Sequence, residues 1–496
     1  GTVPLISTTD LSAVGTSGLP IMQGPEVRYN GQVVAAVVAE TQEQADHAAS
    51  LIKCDYAEEP RKTRFADAKA DARTPASILV EKNHVSVGDA EAELRRSAHR
   101  VDNVYRTPPL NHNAIELHGV TLAWKGDELL VHDATQMVAG TAQALAKVFG
   151  LKKEQVRVLS PFVGGGFGGK GLWDYQIVAA AAAKLVNRPV RLVLTREGVY
   201  RIIGGRSPAE QRVAIGADAD GRFTALVHTG YSVMPDYAAA PEQFTFSSRS
   251  AYRSKSFEIV QRHIDLDIVP NTFMRAPGEA IGSFAVESAV DDLAHKMGID
   301  PIELRLRNVP ERHPISGQPF SQHGMRQALV DGAESFGWKR REARPGAQRI
   351  GEWRIGMGCA AGSHPYMRLP AKVRLTLLSD GSAEVASSAQ EMGMGVATVQ
   401  AQQAADRLGL PVEFVTARLG DSTLPAVSGA TGSSQTASQA VAIAAAAEKL
   451  AAELLRLVDK DSPIAGLRAG EVRLVNEGIA SIDNPARHET FRSILA

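Results

Sequence analysis

Cysteine is almost missing from this chain: Cys54 and Cys359 are the only two in 496 residues. Two thiols cannot complete a four-cysteine iron–sulfur cluster or a four-cysteine zinc site. Far apart in sequence, they read as two separate, buried, unpaired thiols. Long apolar runs are missing too. A membrane-spanning helix needs roughly eighteen or more such residues. The nearest approach, residues 440–457, is interrupted by Glu448, Lys449, Glu453 and Arg456. No excess charge of either sign exists: 54 basic residues face 55 acidic ones, for a net charge of −1. Bulk electrostatics therefore point to neither nucleic acid nor an anionic membrane. The first residues, Gly1-Thr2-Val3-Pro4, carry no Met and no signal-peptide pattern. Residues 491–496 read as a helix cut in mid-course, so both ends are expected to be incomplete relative to the natural protein.

What is present fits an ordinary globular chain, 44% hydrophobic and 22% charged. Residues 1–80 read as a small α/β domain. In it, residues 32–39 read as a buried strand, Thr41 caps a helix, residues 53–56 read as a second strand and residues 67–77 as a linker. Residues 81–310 alternate strands and helices. Hairpins are expected across Lys125-Gly126-Asp127 and across Asp218-Ala219-Asp220-Gly221. Residues 311–351 read as a connection holding one helix over 325–336. Residues 351–496 alternate again, with a hairpin across Ser379-Asp380-Gly381-Ser382 and a long helix over 435–457.

One stretch stands apart: Gly164-Gly165-Gly166-Phe167-Gly168-Gly169-Lys170. It follows an apolar strand and precedes an alanine-rich helix. Glycine at this density costs backbone entropy, and a strand–loop–helix unit offers backbone N–H groups to an anion. Gly164-x-Gly166-x-x-Gly169 fits a dinucleotide fingerprint, but the surrounding chain lacks the six-stranded parallel order. Gly164-x-x-x-x-Gly169-Lys170 fits a P-loop, but Gly171 replaces the hydroxyl that would hold magnesium. A plain strand–helix packing turn is a third reading. Further donor-rich loops lie at Gly393-Met394-Gly395 and Gly429-Ala430-Thr431-Gly432-Ser433-Ser434-Gln435. Met274-Arg275-Ala276-Pro277-Gly278-Glu279 places a cation between apolar neighbours, so Arg275 is expected to be drawn inside. Four such loops imply one large, multiply anionic ligand.

At these residues the chain resembles the xanthine dehydrogenase/aldehyde oxidase family. Pro161-Phe162-Val163 and the glycine stretch resemble its molybdenum-pterin loop. Residues 274–279, with Glu287 and Asp291, resemble its second signature. Residues 30–41 resemble its hammerhead domain. The likeness is greatest to bacterial molybdenum subunits of the periplasmic aldehyde oxidoreductase type. It implies a multidomain α+β fold, with a small α/β hammerhead domain at residues 1–80. Two elongated α/β molybdenum-cofactor-binding domains would follow at 81–310 and 311–496.

The implied ligand is molybdenum–molybdopterin cytosine dinucleotide, with no residue of this chain a direct metal ligand. Gln136 would hydrogen-bond an oxo ligand of the metal. Gly166, Phe167 and Gly168 would face it, the Gly168 N–H aimed at an oxo group. Arg275 would be catalytic, stabilising negative charge on the substrate oxygen. Gly393, Met394, Gly395, Ala430, Thr431, Gly432, Ser433, Ser434, Gln435 and Gln439 would hold the pterin phosphates and the cytosine nucleotide. His112 and Glu116 lie in a similar stretch without an assigned chemistry. The implied reaction is oxidation of a small aldehyde to a carboxylic acid with water-derived oxygen. Electrons would pass to 2Fe–2S clusters and FAD on two partner subunits in a heterotrimer. N-heterocycle hydroxylation (isoquinoline, nicotinate or purine) is the alternative, although Lys170-Gly171-Leu172 lacks the acid that xanthine-specific members carry. The family's base glutamate lies in a Gly-x-Gly-Glu motif, which does not occur in these 496 residues. A fragment, a base from another chain, or a non-catalytic subunit would each account for that. A bacterial source is expected, in the periplasm in preference to the cytoplasm.

Overall fold

The computed structural model describes residues 21–22, 24–79, 81–237 and 241–496. The chain divides into two units, each assembled from separated stretches. Residues 1–57, 112–203 and 366–496 form one; residues 58–111 and 204–365 form the other.

The first unit uses one local topology twice. Gly119–Lys125 and Glu128–Asp133 form a hairpin, and Val156–Leu159 then pairs parallel to the second strand after the crossover helix Val138–Phe149. Val190–Val193 completes a four-stranded sheet on the other edge. Later, Arg374–Leu377 and Ala383–Ala386 form a hairpin, and Val415–Arg418 pairs parallel to the second strand after the helix Val396–Leu408. Each set ends in a loop and a further helix, Asp174–Val186 in the first and Gln435–Leu457 in the second. The apolar residues lie at the spacing this demands. Leu129, Val131, Val138, Leu145, Val158 and Ile177 fill the first core, and Val385, Leu408, Ile443, Leu454 and Phe491 the second. On the long helix, Gln439, Ile443, Ala447, Ala451 and Leu454 are buried at three- and four-residue steps. The two sets are stitched where their parallel strands end. Ser160 N–H donates to Gly420 O at 2.7 Å, Ser422 N–H to Val158 O at 2.9 Å, and Arg157 pairs with Asp421 at 2.7 Å.

The second unit is a five-stranded sheet in the order Val85–Val87, Ser256–Ile264, Phe223–Val233, Ala209–Ala217, His99–Thr107. The helix Glu279–Met297 packs on it through Ala285, Val286, Ala289, Val290 and Leu293. Asp300 caps the next helix, Pro301–Asn308, accepting from Ile302 N–H at 2.8 Å.

Four expectations change. Residues 32–39 and 53–56 are not strands and are mostly exposed. An apolar run becomes a strand only where a neighbour accepts its ladder, and among the described residues none does. The helix between them, Gln42–Ser50, forms as expected, with Thr41 Oγ1 accepting from Gln44 N–H at 3.2 Å. Cys54, on the second of these stretches, is therefore exposed, while Cys359 is partly buried; both are free. Residues 67–77 are anchored rather than a loose linker: Arg73 and His263 exchange backbone hydrogen bonds of 2.9 and 2.8 Å, and Ala68 is buried.

Candidate functional site

Gln136 is the hub of the first unit's loops. It follows the strand Glu128–Asp133 and is almost fully buried. Its Oε1 accepts the N–H of Gly168 at 3.0 Å and of Lys170 at 3.3 Å, while its Nε2 donates to Ala430 O at 2.9 Å. Its backbone N–H donates to Lys170 O at 2.7 Å, and its carbonyl accepts from Ala430 N–H at 2.8 Å. The other crossover supplies a counterpart. Gln390 Oε1 accepts from the same Ala430 N–H at 3.1 Å and from Gln435 Nε2 at 3.0 Å. Two glutamines from topologically matching loops thus converge on one backbone unit, a convergence that sequence reading missed for Gln390.

The glycine loop is shaped by what lies against it. A Cβ at Gly166 would collide with the Gln136 amide, one at Gly164 with the Glu116 carboxylate at 2.6–2.8 Å, and one at Gly169 with the His112 ring at 3.0 Å. Phe167 takes φ +56° and Gly168 φ +108°. Left-handed φ at a phenylalanine is uncommon and persists only where the surroundings impose it. Ala276 at φ +56° and Ser433 at φ +52° do the same in two other candidate loops. Lys170 is 1% exposed, and its ammonium reaches back to Val163 O at 2.7 Å, closing the loop. Burial pushes that ammonium's pKa down, against the opposing pull of Glu116 and Asp133. Burial also holds His118 down at about 4 and lifts Asp133 to about 7. His118 Nε2 lies 3.1 Å from Gly169 O.

The loops do bind anions, but their own. Glu116 accepts the Gly165 N–H at 2.8 Å, which holds its carboxyl below the usual range. Glu391 accepts the N–H groups of Gly393 at 2.8 Å and Gly395 at 3.1 Å. Partial burial raises the Glu391 carboxyl, and the N–H groups of Gly393, Gly395, Ala397 and Val396 outweigh it to leave a lowered pKa. The Glu391 carbonyl also accepts the N–H of Val163 at 3.0 Å, tying this loop to the glycine loop. An acid just before a glycine-rich helix start was the available signal for Glu391.

Other donors and acceptors are left open. Gln439 is 1% exposed, and neither atom of its amide has a hydrogen-bond partner among the described residues. Gln435 Oε1 and Ser428 Oγ are likewise buried and unmatched. Open space lies where a Cβ at Gly393 or Gly395 would stand, and Met394 is exposed. In the turn that follows Ala430, Thr431 N–H donates to Gly429 O at 2.8 Å and Ser434 N–H to Thr431 O at 3.2 Å; Gly432 lies against Met367. A buried amide with nothing to bond is costly unless a ligand satisfies it.

Arg275 belongs to the second unit. Its side chain is exposed rather than drawn inside. The buried arginine of that loop is Arg206, whose Nη2 donates to Met274 O at 2.8 Å and Arg275 O at 2.5 Å. Apolar flanks drew in the loop backbone, and the cation that serves it comes from 69 residues away. Glu287 and Asp291, of the second signature, hold the fully buried Arg305, each at 2.8 Å.

Three domain families match the chain in succession. They are the aldehyde oxidase and xanthine dehydrogenase a/b hammerhead domain over residues 2–60, and molybdopterin cofactor-binding domains over 72–309 and 331–495. The chain is 36% identical over 438 residues to the aldehyde oxidoreductase molybdenum-binding subunit PaoC of Escherichia coli, covering 87% of this chain and 59% of that protein. It is 28% identical over 474 residues to the nicotine 6-hydroxylase large subunit of Paenarthrobacter nicotinovorans, covering 88% and 57%. The chain thus spans less than two thirds of the length of these relatives. Its fold is shared with quinoline 2-oxidoreductase from Pseudomonas putida 86, at a TM-score of 0.77 and 22% identity, covering 95% of this chain and 63% of that one. It is shared equally with the aldehyde oxidoreductase from Desulfovibrio desulfuricans, at 0.76 and 20%, covering 92% and 54%. With its hammerhead match, its paired molybdopterin-binding domains and its loops gathered at Ala430, the chain belongs to the xanthine dehydrogenase/aldehyde oxidase family.

Proposed function

We propose that this chain is the cofactor-holding part of a molybdenum hydroxylase subunit that oxidises aldehydes to carboxylic acids. The observation that carries the reading is the convergence of Gln136 and Gln390 on Ala430, with Gly168 held by Gln136 and Gln435 by Gln390, together with the unmatched buried amide of Gln439. These residues fit a ligand with several donors and acceptors of its own. Bound there, the molybdenum carried by molybdopterin would supply oxygen-transfer and two-electron redox chemistry.

The chain's own groups would bind and orient. Gln136 and the Gly168 N–H would shape the wall nearest the metal, with Gly166 leaving room for the Gln136 amide and Phe167 at the surface. Met394, between Gly393 and Gly395, and the turn from Ala430 through Ser434 would flank the pterin. Gln435 and Gln439 would meet the polar edge of a cytosine dinucleotide. Arg275, exposed and carrying a fixed charge, would stabilise negative charge on the substrate oxygen. The base glutamate would come from outside these 496 residues. The two unpaired cysteines fit a chain whose electrons leave to 2Fe–2S and FAD partner subunits. We also propose a three-domain division near residues 80 and 310; the three successive matches support the number and order of the domains and the second break, and begin the second domain at residue 72. We further propose a bacterial, periplasmic location, tested by cell fractionation.

Identity to an aldehyde oxidoreductase subunit is higher than to the nicotine hydroxylase, which favours aldehydes over N-heterocycles. Turnover of aromatic aldehydes, aliphatic aldehydes and N-heterocycles by the purified complex tests this. Aldehydes are expected to dominate, and preference for a heterocycle would reverse the assignment. Arg275→Ala is expected to lower kcat by about 10²-fold; an unchanged rate would remove Arg275 from the mechanism.

A further inference from the structure

The loop that carries Arg275 is gripped from two sides within its own unit. On one side, Arg206 Nη2 donates to the carbonyls of Met274 at 2.8 Å, Arg275 at 2.5 Å and Ala276 at 3.3 Å. On the other, the Glu242 carboxylate accepts the N–H of Gly278 at 2.6 Å. The two grips are one device, because Arg206 Nε lies 3.1 Å from Glu242 Oε1, off the hydrogen-bond direction, with the two side chains 6% and 2% exposed. Both anchors are themselves held; the Glu242 carbonyl accepts from Gln261 Nε2 at 3.0 Å. Arg206 exchanges backbone hydrogen bonds with Leu110 at 2.8 and 3.2 Å, and Thr272 N–H donates to Gly205 O at 3.1 Å. A Cβ at Gly204 would collide with Pro270 O, and one at Gly278 with Gln243 O, so the loop lies hard against both segments.

The backbone between the grips is not one the chain adopts freely. Ala276 sits at φ +56° immediately after Arg275, a conformation that non-glycine residues keep only when their surroundings over-determine it. A buried ion pair is a weak source of net stability, since desolvation offsets most of the attraction. Three carbonyls and one N–H fixed by the same pair give it a geometric use instead. The side chain of Arg275, by contrast, is exposed. The loop is therefore rigid where it is anchored and free where its cation projects.

We propose that Arg206 and Glu242 are positioning residues for Arg275, fixing the direction in which its side chain leaves the loop. This rests on the aldehyde-oxidising reading, in which Arg275 meets the substrate oxygen. Arg206→Lys keeps the charge, but one shorter ammonium cannot both face Glu242, as Nε does, and reach the loop carbonyls, as Nη2 does. Glu242→Gln keeps an acceptor for Gly278 and removes the charge that faces Arg206.

The test uses the complete holoenzyme with an aromatic aldehyde. It compares wild type, Arg206→Lys, Arg275→Met and the double variant, and follows hydrogen exchange over residues 274–280. Arg206→Lys is expected to lower kcat by about tenfold with KM within about threefold, and to speed exchange across that loop. In the Arg275→Met background the same change should lower kcat by no more than about twofold, because its effect passes through Arg275. Equal losses in both backgrounds, or no loss in either, would overturn the proposal. Glu242→Gln should give the same pattern, and it decides the matter if Arg206→Lys does not fold. Should wild type oxidise no aldehyde, the functional reading fails, and unchanged exchange over residues 274–280 in both variants would separately refute the clasp.

Discussion

Gln136 and Ala430 stand 294 positions apart and are joined by two hydrogen bonds, side-chain Nε2 to Ala430 O at 2.9 Å and Ala430 N–H to Gln136 O at 2.8 Å. The same glutamine holds Gly168. Replacing it with leucine would leave the Gly168 N–H and the Ala430 carbonyl without a partner. Gln136→Leu is therefore expected to cost about 2–4 kcal/mol locally. Hydrogen exchange at the Gly168 and Lys170 amides reads this directly, and unchanged protection there would argue against the hub.

Two glycines of the same loop should respond oppositely to alanine. At Gly166 the new Cβ would collide with the Gln136 amide, while at Gly171 it meets nothing within 4 Å. Gly166→Ala is expected to destabilise by about 2 kcal/mol or more, by strain and by displacing Gln136. Gly171→Ala should lie between neutral and about 1 kcal/mol stabilising, through loss of unfolded-state entropy. Thermal melts of the two variants make the comparison, and similar losses in both would count against the geometry described.

These contrasts mark what could be read from residues alone. The hairpins, the helices Met325–Phe336 and Gln435–Leu457 and the glycine loop were legible, because turn residues and apolar spacing are local signals. The acids inside the loops were harder to read. Glu391 had a local signal, an acid just before a glycine-rich helix start, but nothing local says that Glu116 reaches Gly165, 49 positions away. Residues 32–39 carried a strand's pattern, but no strand among the described residues pairs with them. Arg275 looked like the buried cation of its loop, whereas Arg206 fills that place from another segment. The repeated hairpin–crossover topology was hidden because fold can be shared where sequence periodicity is not.

Glu391 serves the helix Val396–Leu408 as its N-terminal anion. Glu391→Ala is expected to destabilise that helix by about 1–2 kcal/mol. The Glu391 carboxyl is held below its ordinary value, so its contribution is present above that value and is lost as pH falls through the lowered one. Hydrogen exchange along residues 396–408 at neutral and at acid pH tests both statements. Equal protection in wild type and variant at neutral pH would contradict them.

Two buried groups near the glycine loop give pH dependence of opposite sign. Asp133 has its folded pKa raised to about 7, so the contribution of its bound proton is full below the unfolded value near 4 and is lost as pH rises through 7. His118 is depressed to about 4, so its contribution is present above its unfolded value and is lost as pH falls from about 6.5 through 4. Asp133→Asn should therefore gain on wild type as pH rises from 4 to 8, by a few kcal/mol at about 1.4 kcal/mol per unit. Urea unfolding of both proteins across that range measures the gain. A pH-independent difference would mean that Asp133 is not buried as described.

The account's central claim is that the loops meeting at Ala430 hold a molybdopterin cofactor. Molybdenum and pterin content of the freshly purified native complex tests it most directly, with Gln136→Leu alongside. The account predicts both components equimolar with this chain in wild type, and a clear loss of both in the variant. Absence of molybdenum and pterin from the native complex would contradict it.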